Sequence, residues 1–223
     1  MRSVHRTGRP LVPAAIAISA AVLVVGVAYG ATAESAGFPP WLVILTAVLV
    51  LGASSELLFV GIIAAGGLPW LAVGAALLVN LRNLVYGFSA SEFLPGQRPL
   101  RLLAAHLVND ESVAFALARP PARRLRAFQA VGVAIAIAWP LGAAIGVAVG
   151  YIVPDPGILG LDAAFPAIFV AILVGTLSRR TSGPAVAGAT IALAATPFVA
   201  AGVAPVLGLA GLLALVRDRG RRA

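Results

Sequence analysis

The sequence predicts an all-α, polytopic integral membrane helix bundle with about seven (six to eight) spanning segments, one or more of them broken or short. Three observations carry that expectation. The 223 residues are 61% hydrophobic and 11% charged, with a mean hydropathy of +1.02, well outside the range of soluble domains. The apolar residues gather into runs of about twenty, the length that crosses a hydrocarbon core of about 30 Å. The 16 basic residues are all arginine, and 13 of them lie in clusters that flank those runs rather than on a folded basic surface. The expected organisation is a single integral membrane domain, 1–223, with residues 1–10 as a cytoplasmic tail and 217–223 as a cytoplasmic basic tail.

The arginine clusters are Arg2, Arg6 and Arg9; Arg119, Arg123, Arg124 and Arg126; Arg179 and Arg180; and Arg217 to Arg222. This is the positive-inside pattern, so the net charge of +8 meets membrane lipids with anionic headgroups and not nucleic acid. With no cysteine, disulfides, thiolate metal sites and cysteine nucleophiles are excluded.

The first span runs from Leu11 to Gly30. Its basic flank and the following Ala31-Thr32-Ala33 resemble a signal peptide, but about twenty apolar residues exceed the usual h-region of about 7–15. A retained first helix is therefore favoured, with the N-terminus cytoplasmic. The second span, Trp41 to Ala65, is broken in its interior by Gly52-Ala53-Ser54-Ser55-Glu56. Gly66-Gly67-Leu68-Pro69 makes a tight turn into the third, Leu68 to Ala90. Pro95, Gly96 and Pro99 mark a loop, and Leu102 to Leu117 reads as a short half-polar helix. A long span follows from Phe128 to Val153 with Pro140 inside. Ala163 to Leu177 spans next, and Pro184 to Val216 is divided by Pro197, Gly202 and Pro205 into two short helices. Glu34, Asp155 and Asp162 face outward. Two topologies satisfy the charges: either 102–117 crosses the bilayer, or the second span breaks at Gly52–Glu56 and returns to its own side. Trp41, Trp70, Trp139 and Tyr151 read as interfacial anchors.

The polar residues inside these runs point to function. A charge near the centre of a spanning helix costs about 2.5–3.5 kcal/mol on insertion scales, yet the third span contains Asn80-Leu81-Arg82-Asn83. On a continuous helix Asn80, Asn83 and Gly87 share one face, while Arg82, Tyr86 and Ser89 share a roughly opposite one. Polar groups on two faces demand enclosure by protein or water. Arg82 then needs an anion. Glu56 is the nearest in sequence, at compatible depth beyond the Gly66-Gly67 turn, and Asp110 and Glu111 compete with it. Such a pair either staples helices or handles substrate or protons. His106, Asp110 and Glu111, at offsets of four and five, suit one face of a short helix, as a proton relay or as solvated side chains. Asp162 suits an N-terminal cap. Gly142, Gly146 and Gly150, with Gly26 and Gly30, have the four-residue spacing of close helix packing, within the chain or against another subunit. No His-Glu-x-x-His, Gly-x-Ser-x-Gly, phosphate-loop or dinucleotide signature is present, and there are two histidines. We expect no enzyme, no metal centre and no cofactor.

The runs Gly52–Gly61 and Leu78–Gly87, the triplet Asn109-Asp110-Glu111 and the stretch Leu159–Phe169 together resemble the AzlC family, the large subunits of branched-chain amino acid exporters. Order and spacing agree from about residue 10 to 216, and Asn-x-Arg-x-x-x-Tyr-Gly is the most specific piece. The resemblance implies a permease of the bacterial inner (plasma) membrane, paired with a small AzlD-type membrane subunit. Its cargo would be leucine, isoleucine, valine and methionine, exported with the proton motive force. Glu56, Asn80, Arg82, Asn83, Tyr86, Asp110 and Glu111 are then the residues for substrate or proton handling. Two positions depart from the family pattern: Glu56 stands where a neutral Gln is usual, and Asn109 where Thr is common before Asp-Glu. Other readings of the same residues are a permease for another small metabolite and a non-transporting membrane scaffold.

Overall fold

The computed structural model describes residues 11–153, 170, 182–199 and 203–212. The tails, the Asp155 loop, Asp162, the Arg179-Arg180 pair and nearly all of the expected span 163–177 lie outside the described residues. Those described are helical throughout, joined by short turns: α1 (Leu11–Ser35), α2 (Pro40–Leu49), α3 (Ala53–Ala64), α4 (Pro69–Asn80), α5 (Arg82–Ala90), α6 (Arg98–His106), α7 (Asp110–Leu117), α8 (Pro121–Ile152), α9 (Ser182–Ala195) and α10 (Val203–Gly208), which runs into a 3₁₀ turn at Leu209–Leu212. Among them, three stretches are long and apolar enough to cross a membrane: Leu11–Ser35, Pro69–Ala90 and Pro121–Ile152. The chain is an all-α membrane helix bundle.

Two compact units can be distinguished. The first contains 11–53 and 80–153, the second 54–79 with 182–199 and 203–212. In the first, α1 and α8 pack backbone to backbone. A Cβ added at Gly30 would fall on the Ala143 carbonyl oxygen, one at Gly142 on that of Leu23, and one at Gly146 on that of Val27. At Gly26 it would stand 2.9 Å from the Trp139 carbonyl oxygen, and Gly150 lies beneath the Glu34 side chain. The four-residue glycine spacing thus joins two helices of the same chain. Between them Tyr29 stacks on Trp139 at 5.2 Å, and the Tyr29 hydroxyl shares a 2.9 Å hydrogen bond with Thr46 Oγ1 on α2. Trp139 is therefore a core residue, 1% exposed, rather than an interfacial anchor. Trp41, Trp70 and Tyr151 remain exposed.

Three helices end elsewhere than the sequence suggests. The interruption of the second span falls at Val50–Gly52, where Leu51 takes φ +49°; this left-handed backbone costs a non-glycine residue about 1–2 kcal/mol. Ser54, Ser55 and Glu56 follow it as the buried first turn of α3. The segment 102–117 is two helices rather than one, because Asn109 caps a new start. The long span begins seven residues early, at Pro121, whose ring suits the first helical turn, and so takes Arg123, Arg124 and Arg126 into α8.

In the second unit, α3 turns into α4 through Gly66, whose φ of +77° a side chain would oppose. Ile62, Ala72 and Ala75 bury the contact between the two helices. Gly188 of α9 and Gly208 of α10 bring their backbones together in the same way as the α1–α8 pair.

Candidate functional site

Leu81 interrupts the third span: α4 ends at Asn80 and α5 begins at Arg82. Leu81 itself keeps right-handed helical dihedrals (φ −56°, ψ −24°), so the interruption is a one-residue loosening inside the apolar stretch Pro69–Ala90. Within α5, Arg82, Tyr86 and Ala90 lie one turn apart on one face. Ala90 belongs to a core with Ala104, Val113, Ala116 and Phe128, and Tyr86 packs against it. One turn above, the Arg82 Nη1 meets Asp110 Oδ2 at 3.4 Å, each side chain about one-third exposed (32% and 35%). A guanidinium in the first turn of α5 opposes the positive end of that helix dipole, and a carboxylate nearby offsets this. Of the anions weighed from sequence, Asp110 is the one within the first unit that reaches it.

Asp110 is held by a well-defined helix start. The Asn109 backbone is extended (φ −144°, ψ 173°), and its Oδ1 accepts from the Ser112 N–H at 2.8 Å. The Asn109 N–H donates to Ser112 Oγ at 3.2 Å, completing a capping box with serine in the place usually taken by Glu or Gln. Ser112 Oγ also donates to the Leu107 carbonyl at 2.8 Å, which fixes α7 to the end of α6. Asp110 and Glu111 thereby occupy the first turn of α7, where the dipole favours them. His106 closes α6 instead, so the three do not share one helical face.

Glu111 stands in α7, outside the three long spans. Crowding by protein atoms, then the Asp110 charge and a hydrogen bond with Asp110, raise its carboxyl from 4.5 to about 7, against a backbone hydrogen bond and Arg82. Glu111 is nevertheless solvent-exposed, which screens the crowding, so the upward direction rests most firmly on the adjacent Asp110.

Arg82 and the chain neighbours of the two paired residues carry buried polar atoms with no hydrogen-bond partner among the described residues. They are two acceptors, Asn80 Oδ1 and Asn83 Oδ1, and two donors, Arg82 Nε and Asn109 Nδ2. Unmet buried polar atoms cost about 1–3 kcal/mol each, and they concentrate where a ligand completes the bonding. Sequence reasoning passed over Asn109 and Ser112 as ligand or cap; the signal available was an Asn three residues before a Ser at a helix start. Glu56 is 4% exposed and Ser55 1%, at the start of α3 in the second unit.

The sequence profile described as AzlC protein matches residues 17–153, more than half of the chain, and takes in the ion pair, the capping box and the α1–α8 glycines. The chain belongs to the AzlC family. The family and the long apolar helices make it a membrane protein with a transport-related role. No curated protein and no solved structure gives a significant match. The candidate site is therefore read from this chain itself: Arg82 and Asp110 as the charged pair, with polar atoms of Asn80, Asn83 and Asn109 left without a partner among the described residues.

Proposed function

We propose that the chain is the large subunit of a two-subunit exporter that moves branched-chain amino acids, and methionine, across the bacterial inner membrane with the proton motive force. The observation that carries the reading is the Arg82–Asp110 pair with donors and acceptors left unpaired beside it. An α-amino acid needs that mixture. Its carboxylate is complementary to Arg82 Nε and Asn109 Nδ2, and its ammonium to Asn80 Oδ1, Asn83 Oδ1 and the Asp110 carboxylate. An aliphatic side chain suits the apolar surroundings of the bundle. Tyr86 sets the angle of α5 by packing under Arg82. Glu111, with its carboxyl raised toward neutrality, is the group we assign to proton exchange in each cycle. Glu56 is a second buried carboxylate assigned to proton or ammonium handling. The partner is a small AzlD-type membrane subunit. No metal, cofactor or covalent chemistry enters.

Efflux from cells preloaded with labelled leucine tests the proposal. Arg82→Ala and Glu56→Ala, each with membrane expression confirmed, should abolish or strongly reduce export. Wild-type rates from both variants would overturn it. A permease for a different small metabolite is the second reading. It is favoured by one feature, the buried Glu56 in a position that is usually neutral in the family; a panel of amino acids and dipeptides in the same assay separates the two.

A further inference from the structure

The face of α5 one step round from Arg82 is unlike the rest of the helix. Asn83, Gly87 and Ser91 follow each other at four-residue intervals, so they form a single stripe. This stripe lines a groove of about 440 Å³ whose other wall is the polar side of α6, carrying Arg101, Ala105 and His106. The volume falls within the range of about 300–1,000 Å³ typical of small-molecule sites. The same groove is also lined by Val50, Leu84, Phe88, Leu94 and Val108, while Val85 on α5 and Leu100 and Leu103 on α6 are largely exposed outside it. Asn83, Ser91, Arg101 and His106 are thus set among apolar walls, the mixture that small-molecule sites use.

The groove has two distinct ends. Asn83 adjoins Arg82 of the charged pair. Ser91, eight residues and about 12 Å further along the helix, adjoins Glu92, whose carboxylate meets the Arg124 guanidinium at 3.4 Å. Arg124 belongs to the cluster Arg119, Arg123, Arg124 and Arg126, which the positive-inside rule assigns to the cytoplasm. On that assignment the Ser91 end of the groove is the cytoplasmic one, and the Asn83 end is next to Arg82 of the charged pair in the chain. Gly87 lies halfway along the stripe, and a Cβ built there meets nothing within 4 Å. The absence of a side chain serves no packing contact in the protein and leaves the lumen open.

We propose that the groove between α5 and α6 is the cytoplasmic entry passage to the Arg82–Asp110 site, with Arg101 as the cation that first receives an anionic group of the cargo. The passage rests on the permease reading above; the assignment of a carboxylate to Arg101 rests on the amino-acid cargo. Arg101, which has no ion pair among the described residues, raises the local concentration of anions in the groove. The unpaired Asn83 Oδ1 at the inner end then meets the cargo's donor groups.

Because the chain has no cysteine, single cysteines placed at Asn83, Gly87 and Ser91 report the passage without background. A membrane-impermeant thiol reagent should label all three in inside-out vesicles and none in right-side-out vesicles, with leucine protecting Asn83→Cys. Gly87→Phe should reduce efflux to the level of cells lacking the protein. Gly74→Phe, at another helical glycine with no neighbour within 4 Å but outside the groove, should fold and transport. Arg101→Gln should raise the KM for leucine about tenfold, the loss of one charge-assisted hydrogen bond, with kcat little changed. Failure of Gly87→Cys and Ser91→Cys to label from the cytoplasmic side, or normal efflux through Gly87→Phe, overturns the passage. Labelling that leucine, isoleucine, valine and methionine all fail to affect retires the amino-acid cargo, and with it the role of Arg101, while the passage stands.

Discussion

The Arg82–Asp110 contact offers the sharpest quantitative test of the site. Two unit charges 3.4 Å apart attract by about 5 kcal/mol at an effective dielectric of about 20 and by about 1.2 kcal/mol in bulk water. About a third of each side chain is exposed, so screening pulls the net coupling toward the range of about 0.2–1 kcal/mol found for exposed pairs. Between these limits we expect about 1–2 kcal/mol. The perturbation is a double-mutant cycle of Arg82→Gln, Asp110→Asn and the pair, with unfolding in detergent micelles followed through tryptophan fluorescence. The double variant should be more stable than the sum of the singles predicts by that amount. Additivity within about 0.3–0.5 kcal/mol would refute the pairing. Efflux then separates a staple from a cargo contact. The exchanged pair, Arg82→Asp with Asp110→Arg, should regain stability but not transport, and recovered transport would show that Arg82 only holds the helices.

Three further outcomes follow from the same geometry. Gly30→Ala gains up to about 1 kcal/mol of helix propensity but drives a methyl onto the Ala143 carbonyl, an overpacking cost of about 1–3 kcal/mol. Its thermal midpoint should fall, while Gly74→Ala, with open space around it, should hold or rise; equal shifts would refute the close α1–α8 contact. Asn109→Ala removes the cap of α7 and should destabilise by about 0.5–2 kcal/mol, with Asn109→Ser recovering most of it in the same unfolding measurement. Glu111 binds its proton more tightly folded than unfolded, so its contribution is present below pH 4.5 and lost as pH rises through about 7. Stability measured across that window should therefore decline less steeply in Glu111→Gln, and identical profiles would show that Asp110 does not perturb it.

Much of this was legible in the chain. Composition and the arginine clusters are bulk properties that a bilayer reads directly, so the all-α membrane class followed from them. The Gly52–Glu56 interruption was visible because glycine and two serines weaken a helix locally. Its displacement to Leu51 was not, since leucine has no intrinsic preference for positive φ and takes it only because its surroundings impose it. The loosening at Leu81 carries no local signal: leucine is a good helix former, and its backbone stays in the right-handed helical region. The Arg82 partner was likewise non-local. Sequence distance favoured Glu56, whereas Asp110 is delivered by a capping box 27 residues away in a helix whose start was read as a helix interior. Trp139 was misjudged because an interfacial tryptophan and a core tryptophan have the same neighbours in one dimension.

The α1–α8 contact has a mechanical consequence. Where leucines interdigitate, helices can slide by exchanging rotamers; where a carbonyl oxygen rests against a glycine Cα, no rotamer exists to exchange. Sliding by one residue would bring Cβ atoms onto carbonyls at several levels at once. The two longest helices of the first unit therefore act as a strut. Any shape change that exposes a site first to one side of the membrane and then to the other must be accommodated by the interrupted pieces, α2, α5, α6 and α7. Their ends at Leu51 and Asn109, where the backbone leaves the helical region, are the joints available, and Asn109 adjoins the charged pair.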